Sequence, residues 1–208
     1  MVSAHWAHHH RGEEQIMGVT LAKGGNVSLS KAAPNLTQAQ IGLGWRSRST
    51  TGAAFDLDAS ALMCANGRVL GDEYFIFYNN LKSPDGSVEH TGDELVGGTG
   101  GDDDETVLVD LSLVPAHVDK IVYAVSIYDA DTRQQTFGQV TDAYIRVVNQ
   151  ADGQELARYD LTEDASSETA MIFGEIYRHG GEWKFRAVGQ GYASGLRGIA
   201  LDFGVNVS

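Results

Sequence analysis

The chain has 208 residues, 42% of them hydrophobic and 21% charged, with 25 glycines and a formal net charge of -13. That length suits one well-packed domain or at most two small ones, and the charged share excludes wholesale disorder. The acidic balance argues against nucleic-acid binding through phosphates, which needs a basic surface, and against attraction to anionic lipid unless a cation bridges the two.

Residues 1–16, "MVSAHWAHHHRGEEQI", carry no apolar h-region and do not read as a secretory signal. His5, His8, His9 and His10 could bind a transition metal, but the stretch reads as a tag-like or upstream extension. Met17 is the expected start of the folded domain, which is taken as residues 17–208. No apolar run approaches the roughly 20 residues needed to span a bilayer. Cys64 is the only cysteine, so no disulfide forms within the chain, and a lone thiol fits a reducing compartment. It reads as a small strand residue packed in the core.

Strand signals follow in order from Met17. "NVSLS" (26–30) alternates, and "IGLGW" (41–45) alternates large residues with glycine. "FDLDASALM" (55–63) puts Phe55, Leu57, Ala59, Ala61 and Met63 on one face. Asn66-Gly67 predicts a two-residue hairpin turn, because both central positions of a type I′ turn need positive φ. "YFIFY" (74–78) predicts a strand covered on both faces, and "SPDGS" (83–87) a turn. "LVPAHVDK" (113–120) suggests a short turn of helix. "TVLVDL" and "KIVYAVSIY" read as central strands. "DAYIRVVN" and "ELARYDL" form one hairpin, and "TAMIFGEIYR" and "EWKFRAVG" another around "HGG". "ASGLRGIALDFG" suggests a short helix packed at an edge. The whole predicts an all-β, two-sheet antiparallel sandwich with one or two short helices.

Between Ser83 and Asp119 stand ten acidic residues and no lysine or arginine, among them the run Asp102, Asp103, Asp104 and Glu105. Solubility alone does not need the interleaved glycines Gly92, Gly97, Gly98, Gly100 and Gly101, whereas a loop bending its carbonyls toward an ion does. Asp56 and Asp58, at i and i+2, project to one face of a strand. Asn79 and Asn80 add neutral carbonyl oxygens. This donor set is hard and all-oxygen, which suits calcium, with its 6–8 oxygen ligands, better than zinc, which favours histidine and cysteine. The spacing is not that of an EF-hand loop.

"MGVTLAKGGNVSLSK", "FDLDAS", "NNLKSPDGSVEHTGDEL", "GDDDE", "IYDADTRQQTFGQV" and "ETAMIFGEIYRHGGEWKFRAVGQGY" together resemble the TerD family of tellurite-resistance and stress-response proteins, from Met17 to Val207. The resemblance implies a β-sandwich that binds two calcium ions at one end without catalytic activity. It implies a cytoplasmic bacterial protein working with other Ter proteins, including a TerC-like membrane protein that would hold it at the inner face of the membrane. It assigns ligand roles to Asp56, Asp58, Asn79, Asp93, Asp102, Asp103, Asp104 and Glu105, with Glu168 as a further candidate. Where the family often reads Gly-Asp-Gly-Asp-Asp-Glu, this chain reads "GGDDDE", which puts the part of Asp102 in doubt.

Two other functions compete with a calcium-ordered interaction module. One is a calcium-bridged lipid- or carbohydrate-binding sandwich, which exposed aromatics near the acidic loops would favour. The other is a hydrolase using Asp56 and Asp58 as a carboxylate pair, for which the sequence shows no aromatic-lined cleft. Among the remaining residues, His90 reads as a hairpin histidine bonded to loop backbone, and Arg133 and Gln135 as groups that satisfy a loop. Trp45 and Trp183 read as core, and Asp129 and Asp131 as a capped turn.

Overall fold

The computed structural model describes residues 18–47, 55–92, 103–161 and 167–206. Two sheets face each other. Sheet A runs, in spatial order, β1 (Val19–Leu21), β11 (Glu155–Asp160), β10 (Val140–Asn149), β3 (Gln38–Ser47), β8 (Glu105–Asp110) and β7 (Val88–His90). Sheet B runs β2 (Asn26–Ser28), β13 (Glu182–Tyr192), β12 (Ala170–His179), β9 (Lys120–Ile127), β4 (Leu57–Ala65) and β5 (Arg68–Val69), and β6 (Phe75–Ile76) also pairs with β4. Every pairing is antiparallel except β1 with β11. Among the described residues three short α-helices complete the fold: α1 (Leu29–Ala32), α2 (Ala130–Arg133) and α3 (Gly195–Asp202). The expected all-β sandwich is what forms. No helix of the described residues is long and apolar enough to cross a membrane.

Strict alternation builds the core. Leu57, Ala59, Ala61 and Met63 of β4 point between the sheets and meet Ile121, Tyr123, Val125 and Ile127 of β9 and Ile41, Leu43, Ile145 and Val147 of sheet A. Part of the opposite faces of β4, β9 and β12 is also apolar. Leu62, Cys64, Val122, Ala124 and Ile172 lie under Ile199 and Ala200 of α3, which packs on the outer face of sheet B. A strand buried on both faces reads as a continuous apolar run, which is how "KIVYAVSI" reads. Cys64 belongs to this second cluster, and burial pushes its thiol up to about 12, which leaves it without thiolate character.

The turns follow their residues. Asn66 and Gly67, with φ of 53° and 78°, join β4 to β5 through a two-residue loop. Three sequence expectations give way to tertiary contacts. "NVSLS" ends as a strand at Ser28, whose hydroxyl caps α1 by accepting the Lys31 N–H at 3.1 Å. "LVPAHVDK" forms turns and no helix. The Arg178 guanidinium, stacked 4.1 Å from the Trp183 ring, donates to the carbonyls of Val118 at 2.9 Å and Val114 at 3.1 Å. "YFIFY" contributes only Phe75–Ile76 to a strand. The Asn80 side-chain amide donates to the Glu73 and Phe75 carbonyls, folding the chain back after Phe77.

Tyr123 is fully buried between the sheets, and its hydroxyl has no hydrogen-bond partner among the described residues. Burial holds its phenol far above the usual range. Such an atom costs about 1–3 kcal/mol in desolvation. Tyr123→Phe is therefore expected to raise the urea unfolding midpoint, by roughly 1 kcal/mol in unfolding free energy, with an unchanged m-value.

Candidate metal centre

One end of the sandwich gathers the start of β4, β8, β10 and β12 with the finish of β3, β9 and β13. Register fixes this: Asp58 pairs with Ser126, Ser126 with Ala170, Ala170 with Tyr192, and in sheet A Glu105 pairs with Leu43. Asp56, Asp58, Asp103, Asp104, Glu105 and Glu168 therefore all lie at this end. Asn79 is exposed in the tight turn that links Phe77 to Asn80. Asp93 and Asp102 lie outside the described residues.

The three described acids of the run have different surroundings. Asp103 folds over the outer face of sheet A. Its Oδ1 accepts the Tyr144 hydroxyl at 2.7 Å and Arg146 Nε at 2.9 Å, and its Oδ2 accepts Arg146 Nη2 at 2.8 Å. Its side chain is only 5% exposed. Asp104 is exposed, and its Oδ2 accepts the Trp45 backbone N–H at 2.9 Å, while its own N–H donates to the Leu43 carbonyl. Glu105 turns inward. Its Oε2 accepts the Ala59 N–H of β4 at 2.8 Å and lies 3.0 Å from His90 Nε2. The Gly92 N–H donates to His90 Nδ1 at 2.9 Å, so the ring proton sits on Nε2 and donates to Glu105. Glu105 thereby ties sheet A to the margin of β4 that β6, paired only at Ala61 and Leu62, leaves open. His90 bonds loop backbone as expected, and this carboxylate as well.

The remaining candidates lie nearer solvent. Asp56 is exposed, and its carbonyl accepts the Tyr128 N–H. Asp58 is half-buried on the outer face of β4, the side carrying Ser60 and Leu62. Glu168 is half-buried beside Gly191, and its carbonyl accepts the Phe137 N–H. Asp129 stands at the N-cap position of α2 with φ of 50° and makes no side-chain cap bond. The donor chemistry fits a hard cation, since every candidate offers oxygen. Yet no three His, Cys, Asp or Glu side chains among the described residues are grouped to hold an ion by themselves.

Arg146 and Tyr144 are the members of this end that residue-by-residue reading passed over. Burial works against the charge on Arg146, but the Asp103 carboxylate outweighs it and strengthens its hold on the proton. Burial and the bond to Asp103 push the Tyr144 phenol up. Arg158 lies 4.0 Å over the Tyr144 ring. The signal was present in "IGLGW". A Cβ on Gly42 would overlap the Asp103 carboxylate, and one on Gly44 would overlap the Tyr144 ring, so each glycine makes room for an outer-face side chain. Gly42→Ala is expected to destabilise the fold by about 1–3 kcal/mol, as overpacking does, in denaturant titrations without metal.

Three comparisons bear on identity. Residues 17–203 match the TerD domain family model. The chain is 61% identical over 193 residues to tellurium resistance protein TerD of Serratia marcescens, covering 92% of this chain and all of that protein. It is 51% identical over 193 residues to general stress protein 16U of Bacillus subtilis, with the same coverage of both chains. A crystal structure of a TerD homologue from Streptomyces coelicolor A3(2) shares the fold, with a TM-score of 0.62 at 23% identity over 80% of this chain and 96% of that one. The chain belongs to the TerD family, whose members among these relatives are named for tellurium resistance and stress response.

Proposed function

We propose that this chain is a calcium-binding, non-enzymatic interaction module of the tellurium-resistance and stress response. The observation that carries this reading is the gathering of six candidate carboxylates at one end of the sandwich. Asp56, Asp58, Asp104 and Glu168 are the described acids that would hold an ion, with exposed Asn79, and Asp93 and Asp102, as further donors from the family resemblance. A bound divalent ion would supply positive charge that relieves repulsion among these groups and orders the acidic end, and the resemblance suggests two such ions. The ordered end is then the docking surface for a partner, for which other Ter proteins, including a TerC-like membrane protein, are the candidates. A cytoplasmic setting, peripheral to the membrane through that partner, fits the single buried thiol. The buried Cys64 and the doubly bonded His90 ring favour binding over nucleophilic catalysis.

Calcium titration by calorimetry, set beside magnesium, tests the reading. Micromolar or tighter calcium binding is expected. A hundredfold excess over Kd should stabilise the fold by about 2.7 kcal/mol, lost on chelation. No heat and an unchanged melt would remove the proposal.

A second reading has one observation in its favour. Tyr128, 49% exposed, adjoins Asp56, and Tyr78, 48% exposed, adjoins Asn79. These aromatics beside the acidic end suit a calcium-bridged lipid surface. Co-sedimentation with phosphatidylserine vesicles separates the readings: calcium-dependent pelleting that Tyr128→Ala abolishes supports the lipid role, and a protein left in the supernatant with calcium supports docking to protein.

A further inference from the structure

The Asp103 carboxylate is fully engaged by the protein itself. Three donors from two β10 side chains, Tyr144 and Arg146, fill both oxygens, and the pair is almost excluded from water, at 5% exposure for Asp103 and 14% for Arg146. The seat beneath it is built in, because Gly42 and Gly44 lack the side chains that would lift Asp103 and Tyr144 off the sheet. A bidentate arginine pair sets geometry as well as energy, because the planar fork admits few orientations. A divalent ion brought to the same oxygens would have to share them with a guanidinium already in place.

Resting on the proposed calcium reading, we infer that Asp103 is a clasp and that Arg146 is the positioning residue of the metal end, neither of them touching the ion. Asp103 is pinned to the outer face of sheet A and Glu105 to the space between the sheets. The backbone between these two pins is fixed, and the Asp104 N–H bonds the Leu43 carbonyl. Arg146 thus sets where Asp104 presents its oxygens. Arg146 also supplies permanent positive charge to a stretch with no lysine or arginine of its own between Ser83 and Asp119. Its contribution to ion binding is orientation of the groups that bind.

The experiment compares wild type, Asp103→Asn, Arg146→Gln, the double variant and Arg146→Lys, by melting in chelator and by calorimetry with calcium. In chelator, each single variant should melt below wild type, and the double variant no lower than the worse single, as partners in one contact do. Asp103→Asn should keep the wild-type number of ions per chain. Arg146→Gln should weaken calcium binding about tenfold or more, as loss of a group supporting a ligand does. Arg146→Lys should fall between, since one ammonium cannot reproduce the fork.

The inference fails if the losses add in chelator, if Asp103→Asn loses an ion, or if Arg146→Gln leaves calcium affinity unchanged. It also fails if Arg146→Gln binds calcium more tightly, as removing a competitor from a true ligand would. If wild type takes up no calcium, the functional proposal falls alone, and the coupling in chelator decides whether Asp103 is a clasp. If Arg146→Gln does not fold, Arg146→Lys and the near-isosteric Asp103→Asn still supply the affinity and ion-number readouts.

Discussion

Consecutive carboxylates must be kept from sharing one environment, and the acidic end is organised around that constraint. Two unit charges about 4 Å apart repel by roughly 4 kcal/mol at an effective dielectric near 20. Asp103, Asp104 and Glu105 avoid this by going three ways. Asp103 crosses to the outer face of sheet A to meet Arg146, Asp104 stays at the rim against the Trp45 N–H, and Glu105 enters the space between the sheets. Each partner is supplied by a different strand, so separating the charges also staples β8 to β3, β10, β7 and β4. The end of a sandwich is where such staples matter, since strand pairing runs out there.

The two buried members obey the rule that a charge leaves water only with a partner. Glu105 receives a neutral histidine and a backbone amide, both donors without formal charge. Asp103 receives a guanidinium and a phenol. The same rule governs Glu175 on sheet B, nearly buried and paired with Arg186 and with Lys120 at 3.2 Å. Cutting one partner from such a pair leaves a charge in low dielectric, which costs more than the pair itself stabilises. The acidic end therefore carries its own rigid portion irrespective of any ion.

What the sequence made legible was whatever depends on near neighbours. The period of two in "FDLDASALM" placed Leu57, Ala59, Ala61 and Met63 in the core, and Asn66-Gly67 set the hairpin, because both are local rules. The density of aspartate between Ser83 and Asp119 drew attention to the run that ends at Glu105, at one end of the sandwich. The partners were hidden, because Arg146 stands 43 residues from Asp103, and His90 meets Glu105 only when β7 pairs with β8. Distance in sequence also explains "LVPAHVDK", which reads as helix until Arg178, 60 residues on, takes its carbonyls. The absence of basic residues within the run was true of the stretch and untrue of the folded end. The glycines of "IGLGW" held that information, since an outward-facing Gly42 and Gly44 on a central strand leave a hollow that another side chain must fill.

Permanent and exchangeable neutralisation have different consequences for a protein of net charge -13. Cations covalently part of the chain cannot respond to conditions, so Asp103 with Arg146 contributes the same order at any ion concentration. Asp56, Asp104 and Glu168 sit where water and ions reach them, so solution ions screen their charges. An end built from both kinds keeps its strands registered when ions are scarce, while its outermost carboxylates can still change state. Had every acid been given an internal partner, the end would be stable and indifferent to divalent ions. Had none been, binding an ion would have to order the whole end from a disordered start, and the entropy of that ordering would be subtracted from its affinity. On the proposed calcium reading, holding Asp103 and Glu105 in advance would reduce what remains to be ordered to the groups that face the ion.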